Sequence, residues 1–201
     1  YKRQDLQQGS LRRPTGQRLA ALSIEFIESY HLTLLEKFGD TVQDVLYRTG
    51  FEWGLQEMLR LNEQLRPSLG GGNLDLWQMD AKYIIDTWWA PLAEAGWGRC
   101  TFDFAASSRG LVFADLQSSI VAGAFTGSDQ PVCHLYAGLL AGGLSFYERT
   151  ERHAVEVQCA ALGAATCTFV IGPGAEADSA ETWRQQGLPA VEIISRLRSA
   201  S

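Results

Sequence analysis

PVCHLYAGLLAGGLSFYERTERHAVEVQCAALGAATCTFVIG, residues 131–172, holds three of the four cysteines, Cys133, Cys159 and Cys167, with Glu156 just before the second. Pro131 opens a helix that runs to about Tyr147. Two strands follow, at about residues 153–159 and 166–171, and fold as a hairpin around AALGAA. Cys159 and Cys167 bracket the tip of that hairpin, Glu156 precedes it, and Cys133 stands at the first turn of the helix, where free backbone N–H groups favour a thiolate. Soft sulfur ligands gathered in this way point to a zinc ion. A regular strand would turn Glu156 and Cys159, three residues apart, to opposite faces, so the site requires a bulge or an early end to the strand. Free buried cysteines are the alternative reading of the same residues.

Working outward, Ala180 to Arg198 reads as a terminal helix interrupted near Gly187 and Pro189. Upstream, the period changes to two from Gly98: Cys100, Phe102 and Phe104 alternate with Arg99, Thr101 and Asp103, and Leu111 to Leu116 alternates again after a turn. Cys100 sits on the apolar side of this hairpin as a small core residue. Residues 118–127 stay ambiguous between helix and loop.

Three helices are expected before the hairpins. Thr15 caps the first, along which Leu19, Leu22, Phe26, Ile27, Tyr30, Leu34 and Phe38 recur at the helical period. Asp40 and Gln43 form a capping box for the second, which carries Gly50 and Gly54 beside Phe51 and Trp53. Those glycines signal close approach of another helix or a cavity beside the rings, against plain core packing. Pro67 to Gly72 is a short connection. Asn73 or Asp75 opens the third helix, where the adjacent Trp88 and Trp89 point about 100° apart, one to the core and the other to a groove, partner or ligand. The sum is an α+β fold, a four-stranded antiparallel sheet with helices against one face. The expected division is a polar basic tail at 1–14, a domain at 15–174 and a helical extension at 175–201.

With 201 residues, 46% of them hydrophobic, the chain can bury one good core. Its 17 basic and 23 acidic residues leave a formal charge of -6, which argues against nucleic acid as a partner. The excess is uneven, with residues 1–18 at about +4 and the rest at about -10. The longest uncharged stretch, Leu135 to Tyr147, falls short of the roughly 20 residues that cross a bilayer. Clustered cysteines beside an acid suit a reducing compartment, so a cytoplasmic protein, peripheral to a membrane at most, is expected.

The segment Cys133-His134-Leu135-Tyr136-Ala137-Gly138-Leu139-Leu140-Ala141-Gly142, with Glu156-x-x-Cys159, Gly163 and Cys167-Thr168-Phe169, resembles the vinyl-four-reductase domain. Its relatives are bacteriochlorophyll biosynthesis J proteins, archaeal hydrocarbon-binding proteins and phenol-sensing domains of bacterial activators, and subunits of the TRAPP tethering complex share the fold more distantly. The resemblance implies zinc on Cys133, Glu156, Cys159 and Cys167, a site with no open position for catalysis. It also implies a small hydrophobic ligand between helices and sheet, for which the chain supplies Phe51, Trp53, Trp88, Phe102, Phe113, Tyr136 and Phe146. The histidine and tryptophan with which phenol sensors hold phenol have no clear equivalents, His31 and His134 being poorly placed. A tetrapyrrole or chlorophyll precursor suits the aromatic supply better. The resemblance implies a homodimer as well. An assembly factor for a pigment–protein complex is the alternative function. A reductase finds little support, because no Gly-rich turn opens a helix after a strand and no nucleophile with a paired base is legible.

Overall fold

The computed structural model describes residues 3–13, 16–69 and 75–199; Thr15, Asn73 and the glycines at 70–72 lie outside them. Three short strands come first, β1 (Arg3–Asp5), β2 (Ser10–Arg12) and β3 (Arg18–Leu19). Helices α1 (Ile24–Phe38), α2 (Val42–Leu65) and α3 (Ala81–Glu94) follow. Then come strands β4 (Arg99–Asp103) and β5 (Val112–Gln117) and helices α4 (Ile120–Ala124) and α5 (His134–Glu148). The chain closes with β6 (His153–Gln158), β7 (Cys167–Gly172), α6 (Gly174–Gln185) and α7 (Ala190–Ser199).

Strands β4 to β7 make one antiparallel sheet in the order β4-β5-β7-β6, as two hairpins joined through β5 and β7. Register places Ala114 opposite Phe169 and Leu116 opposite Cys167. On that face Val112, Ala114, Leu116, Phe169 and Ile171 join the main core with α3 and α5. The other face also carries apolar residues: Leu111, Phe113, Val157 and Val170 pack under Ala180, Ala190, Ile193 and Leu197 of α6 and α7. Helices therefore cover both faces, where the sequence reading has one. The reason is visible in β5, whose burial runs almost without a break from Leu111 to Ala114, because two layers press on it.

Helix α5 is the centre of the molecule. Buried on nearly every side, it lies between the sheet and α2. A Cβ on Gly50 or Gly54 of α2 would stand 2.0 Å from the Leu135 carbonyl oxygen or 2.3 Å from that of Leu139, and one on Gly138 or Gly142 of α5 would meet the carbonyls of Tyr47 or Phe51 at 1.9 and 2.1 Å. The paired glycines thus let two helix backbones touch, which decides between the readings left open above.

Several local expectations change. Helix α1 begins at Ile24, where the Ser23 side chain accepts from the Phe26 N–H at 3.3 Å; Leu19 instead pairs with Leu11 in the small sheet. The expected capping box at Asp40 and Gln43 does not form, a 3-10 turn over Gly39–Thr41 leading into α2 instead. Residues 3–13, read as a solvated tail, run along β1 and β2, and Arg13 reaches Glu57 of α2. Both Trp88 and Trp89 are buried, at 3% exposure, so neither is left facing a groove. Pro91 bends nothing out of α3, which continues to Glu94.

Candidate metal centre and ligand pocket

Cys133 is the N-cap of α5, Glu156 lies on β6, Cys159 follows the end of β6 and Cys167 is the first residue of β7. The strand irregularity that the spacing demands is present. Glu156 pairs with Phe169 while Gln158 pairs with Thr168, so Val157 is one extra residue on β6. Val157 turns to the α6–α7 side, and the strand stops one residue after the bulge, which brings Cys159 round to the side of Glu156. All four ligand atoms lie within 4.8 Å of one another, and all four residues are buried.

The surroundings hold the sulfurs in place. The Cys133 N–H donates to Glu156 Oε2 at 2.9 Å, and the Ala160 N–H donates to Cys167 Sγ at 3.3 Å. Cys133 Sγ lies 3.6 Å from Cys167 Sγ and 3.4 Å from the Ser119 hydroxyl. Glu156 Oε1, by contrast, is buried with no hydrogen-bond partner, a cost that a cation would remove. By themselves the four groups cannot all be charged. Burial, then the Cys159 thiol, pushes the Glu156 carboxyl well above its ordinary value. Bonds to Cys159 and Cys167, together with burial, push Cys133 up. Cys159, receiving bonds from Cys133 and Cys167, goes down to about 2. A bound dication inverts this order and favours the deprotonated form of every ligand. The donor set and the orphaned oxygen fit a metal ion, and Cys100, on β4, stands apart from it.

Of the seven rings expected around a ligand, Trp53, Trp88, Phe102 and Tyr136 belong to one aromatic chain. Trp53 meets Trp97 at 4.8 Å between centroids, Trp97 meets Tyr136 at 6.1 Å, and Trp89 links Tyr136, Phe102 and Trp88 at 6.3, 6.1 and 5.7 Å. Phe51 and Phe146 pack against the same core. Phe113 lies on the opposite face of the sheet, under the Arg198 guanidinium. Most of these rings fill space. Trp53 alone of the seven lines either of two adjoining cavities, which share Leu22, Ile27, Trp53 and Trp97 as walls.

The first of these cavities, of about 280 Å³, is apolar and lies between α1, α2, α4 and α5. Val132 and Leu135, on either side of the metal-site Cys133, form its floor. His31, set aside in the sequence reading, stands in its wall with its ring 4.5 Å from Phe125, and burial lowers its basicity. Trp97 was missed altogether; it lies in the turn between α3 and β4, and no helical or strand period marks it. The second cavity, of about 360 Å³, is lined by the N-terminal strands and the charged residues Arg13, Arg18, Glu57 and Arg60. His134 faces a separate hollow with Glu181 and Arg184.

Residues 112–173, a span that includes all four metal-site residues, match the vinyl-4-reductase domain. No curated protein matches the chain. The structure is similar to the phenol-responsive sensory domain of the transcription activator PoxR with phenol, at 18% identity, 94% of this chain, 92% of that one and a TM-score of 0.65. A vinyl-4-reductase family protein from Methanocaldococcus jannaschii is similar at 16% identity, over 76% of this chain and 82% of that one, with a TM-score of 0.51. A trafficking protein particle complex subunit 3 from Naegleria fowleri, covalently bound to palmitic acid, is similar at 12% identity, over 74% and 91%, with a TM-score of 0.50. The resemblance read from the cysteine segment and the α+β fold are thus shown; identities this low establish fold and nothing finer.

Proposed function

We propose that this chain, with its vinyl-4-reductase-type domain, is a zinc-stabilised module that binds a small hydrophobic ligand and serves as a carrier or sensor. The observation that carries the reading is the apolar cavity roofed by α1 and floored by Val132 and Leu135. Its floor is continuous with the metal site through Cys133, so a closed ion that ties α5 to the β6–β7 hairpin also fixes one wall of the pocket. Two structural relatives that hold phenol and palmitic acid support binding of apolar molecules by this fold. Three thiolates and a carboxylate fill the preferred four positions of zinc, so the ion would support the fold and would supply no site for substrate. Within this reading a tetrapyrrole is one candidate occupant.

The test is calorimetric titration of the purified protein with protoporphyrin, chlorophyllide, phenol and a straight-chain hydrocarbon, beside a Thr49→Trp variant. Thr49 lines the cavity from an exposed position on α2, so the larger ring enters the pocket without disturbing the core. Saturable binding of at least one ligand, lost in the variant, is the expected result; no binding across the panel would reject the reading, and the identity of the binder decides the tetrapyrrole version.

We further propose that two copies pair through α1. That helix buries only Ile27, while Phe26, Tyr30, Leu32, Leu35 and Phe38 are each about half exposed, an apolar row at the helical period. The same row favours a second reading, an assembly factor for a pigment–protein complex that works through protein contacts. Capture of a pigment-free protein partner from native extract would favour that reading over a carrier. Among the described residues no helix is long and apolar enough to cross a membrane.

A further inference from the structure

We infer that the ligand is an amphiphilic anion, with its apolar body in the cavity under α1 and its negatively charged head in the adjoining cavity against Arg18 and Arg60. The inference rests on the pocket reading above and adds the chemistry of one end of the ligand. Both cavities share the walls Leu22, Ile27, Trp53 and Trp97, so one molecule in contact with these residues meets two different environments. The first environment is apolar apart from Thr49 and His31. The second brings together three guanidinium groups, of Arg13, Arg18 and Arg60, and one carboxylate, of Glu57.

That carboxylate is already engaged. Arg13 Nη1 donates to Glu57 Oε2 at 3.3 Å, Gln17 donates to Oε1 at 3.2 Å, the Trp53 indole N–H donates to Oε1 at 3.3 Å, and Arg60 Nη2 donates to it as well. Burial alone would raise the Glu57 carboxyl, but Arg60 and Arg13 outweigh it and hold it below its ordinary value, so it is charged at neutral pH. One negative charge therefore faces three positive ones. Arg60 Nε is buried with no partner, and Arg18 has no carboxylate within ion-pair reach among the described residues. A buried guanidinium donor left unpaired is costly, and a carboxylate or phosphate oxygen is the group whose geometry answers it. The N-terminal strands deliver Arg13 and Arg18 to this place, which accounts for the basic character of an end otherwise without a task.

Dodecanoate and dodecanol share a tail and differ in the head, so the pair separates the two ends of the site. Titrated into the full chain at neutral pH, dodecanoate is expected to bind about tenfold more tightly than dodecanol. The double variant R18Q/R60Q should weaken dodecanoate by a similar factor and leave dodecanol unchanged, and added salt should weaken dodecanoate alone. Should the double variant fail to fold, R18Q decides by itself, because Arg18 is exposed and supports no neighbour by an ion pair. Equal affinity for both probes, or equal weakening of both by the variants, would overturn the anionic head and leave the hydrophobic pocket standing. If neither probe binds to wild type, both readings fall together.

Discussion

Glu156 and Cys159 meet because Val157 is one residue too many for its partner strand, and the candidate metal site depends on that extra residue. For the proposed zinc ion, Cys159→Ala is expected to reduce bound metal from one equivalent to none and to cost about 4 kcal/mol, in the range of a lost metal site. Elemental analysis and thermal unfolding check this; a chelated wild type that melts as before would contradict it. Glu57 is the other buried acid with several partners, and its pKa lies below the ordinary 4.5. A carboxyl with a depressed folded value stabilises above the unfolded value and loses that contribution as pH falls through the folded one. Between neutral pH and pH 5 the ion pairs should hold. Below about 4.5, wild type should lose stability more steeply than Glu57→Gln, as acid unfolding followed by circular dichroism would show. The four metal-site residues were legible from spacing, since cysteine and glutamate at these intervals have few other reasons to cluster. Glu57 was not: nothing in an isolated helix shows that residues 40 and 44 positions away will close on it.

Helices α2 and α5 touch along a seam of glycines, and the seam sets where everything on α5 lies, Cys133 included. Gly138→Ala would place a methyl 1.9 Å from the Tyr47 carbonyl oxygen, backbone against backbone, so neither helix can yield cheaply. A loss of about 3 kcal/mol or more is expected in denaturant unfolding. Gly123→Ala on α4 is the control, because its methyl would find only Ile24 Cδ1, at 3.8 Å. That change should be near neutral or slightly stabilising. Equal costs at the two positions would mean that the seam is not tight. Elements with a clear period and a cap, such as α2, α5 and the two hairpins, were legible to within a few residues. The start of α1 was not, because Leu19 and Leu22 keep the helical spacing while β2 recruits Leu19 into a strand. Local period cannot register a strand partner eight residues upstream.

At the scale of the molecule, α1 is packed on one side by the cavity and on the other by nothing within the chain, with Phe26 and Phe38 each 51% exposed. If two copies pair through this row, Phe26→Glu with Phe38→Glu should give a monomer of undiminished helix content by light scattering and circular dichroism. A wild type already monomeric at high concentration would remove the proposed dimer. The sequence by itself determined the class of fold, the two hairpins and the residues able to gather a metal ion, because these follow from short-range period and from side-chain chemistry. Only the tertiary structure decided that rings such as Trp88 and Trp89 fill the core, that Phe113 belongs to the far face of the sheet, and that the open space lies under α1 beside an arginine-lined neighbour. A cavity is the volume that packing leaves over. It is set by the mutual placement of elements distant in the chain, and no single stretch of residues encodes it.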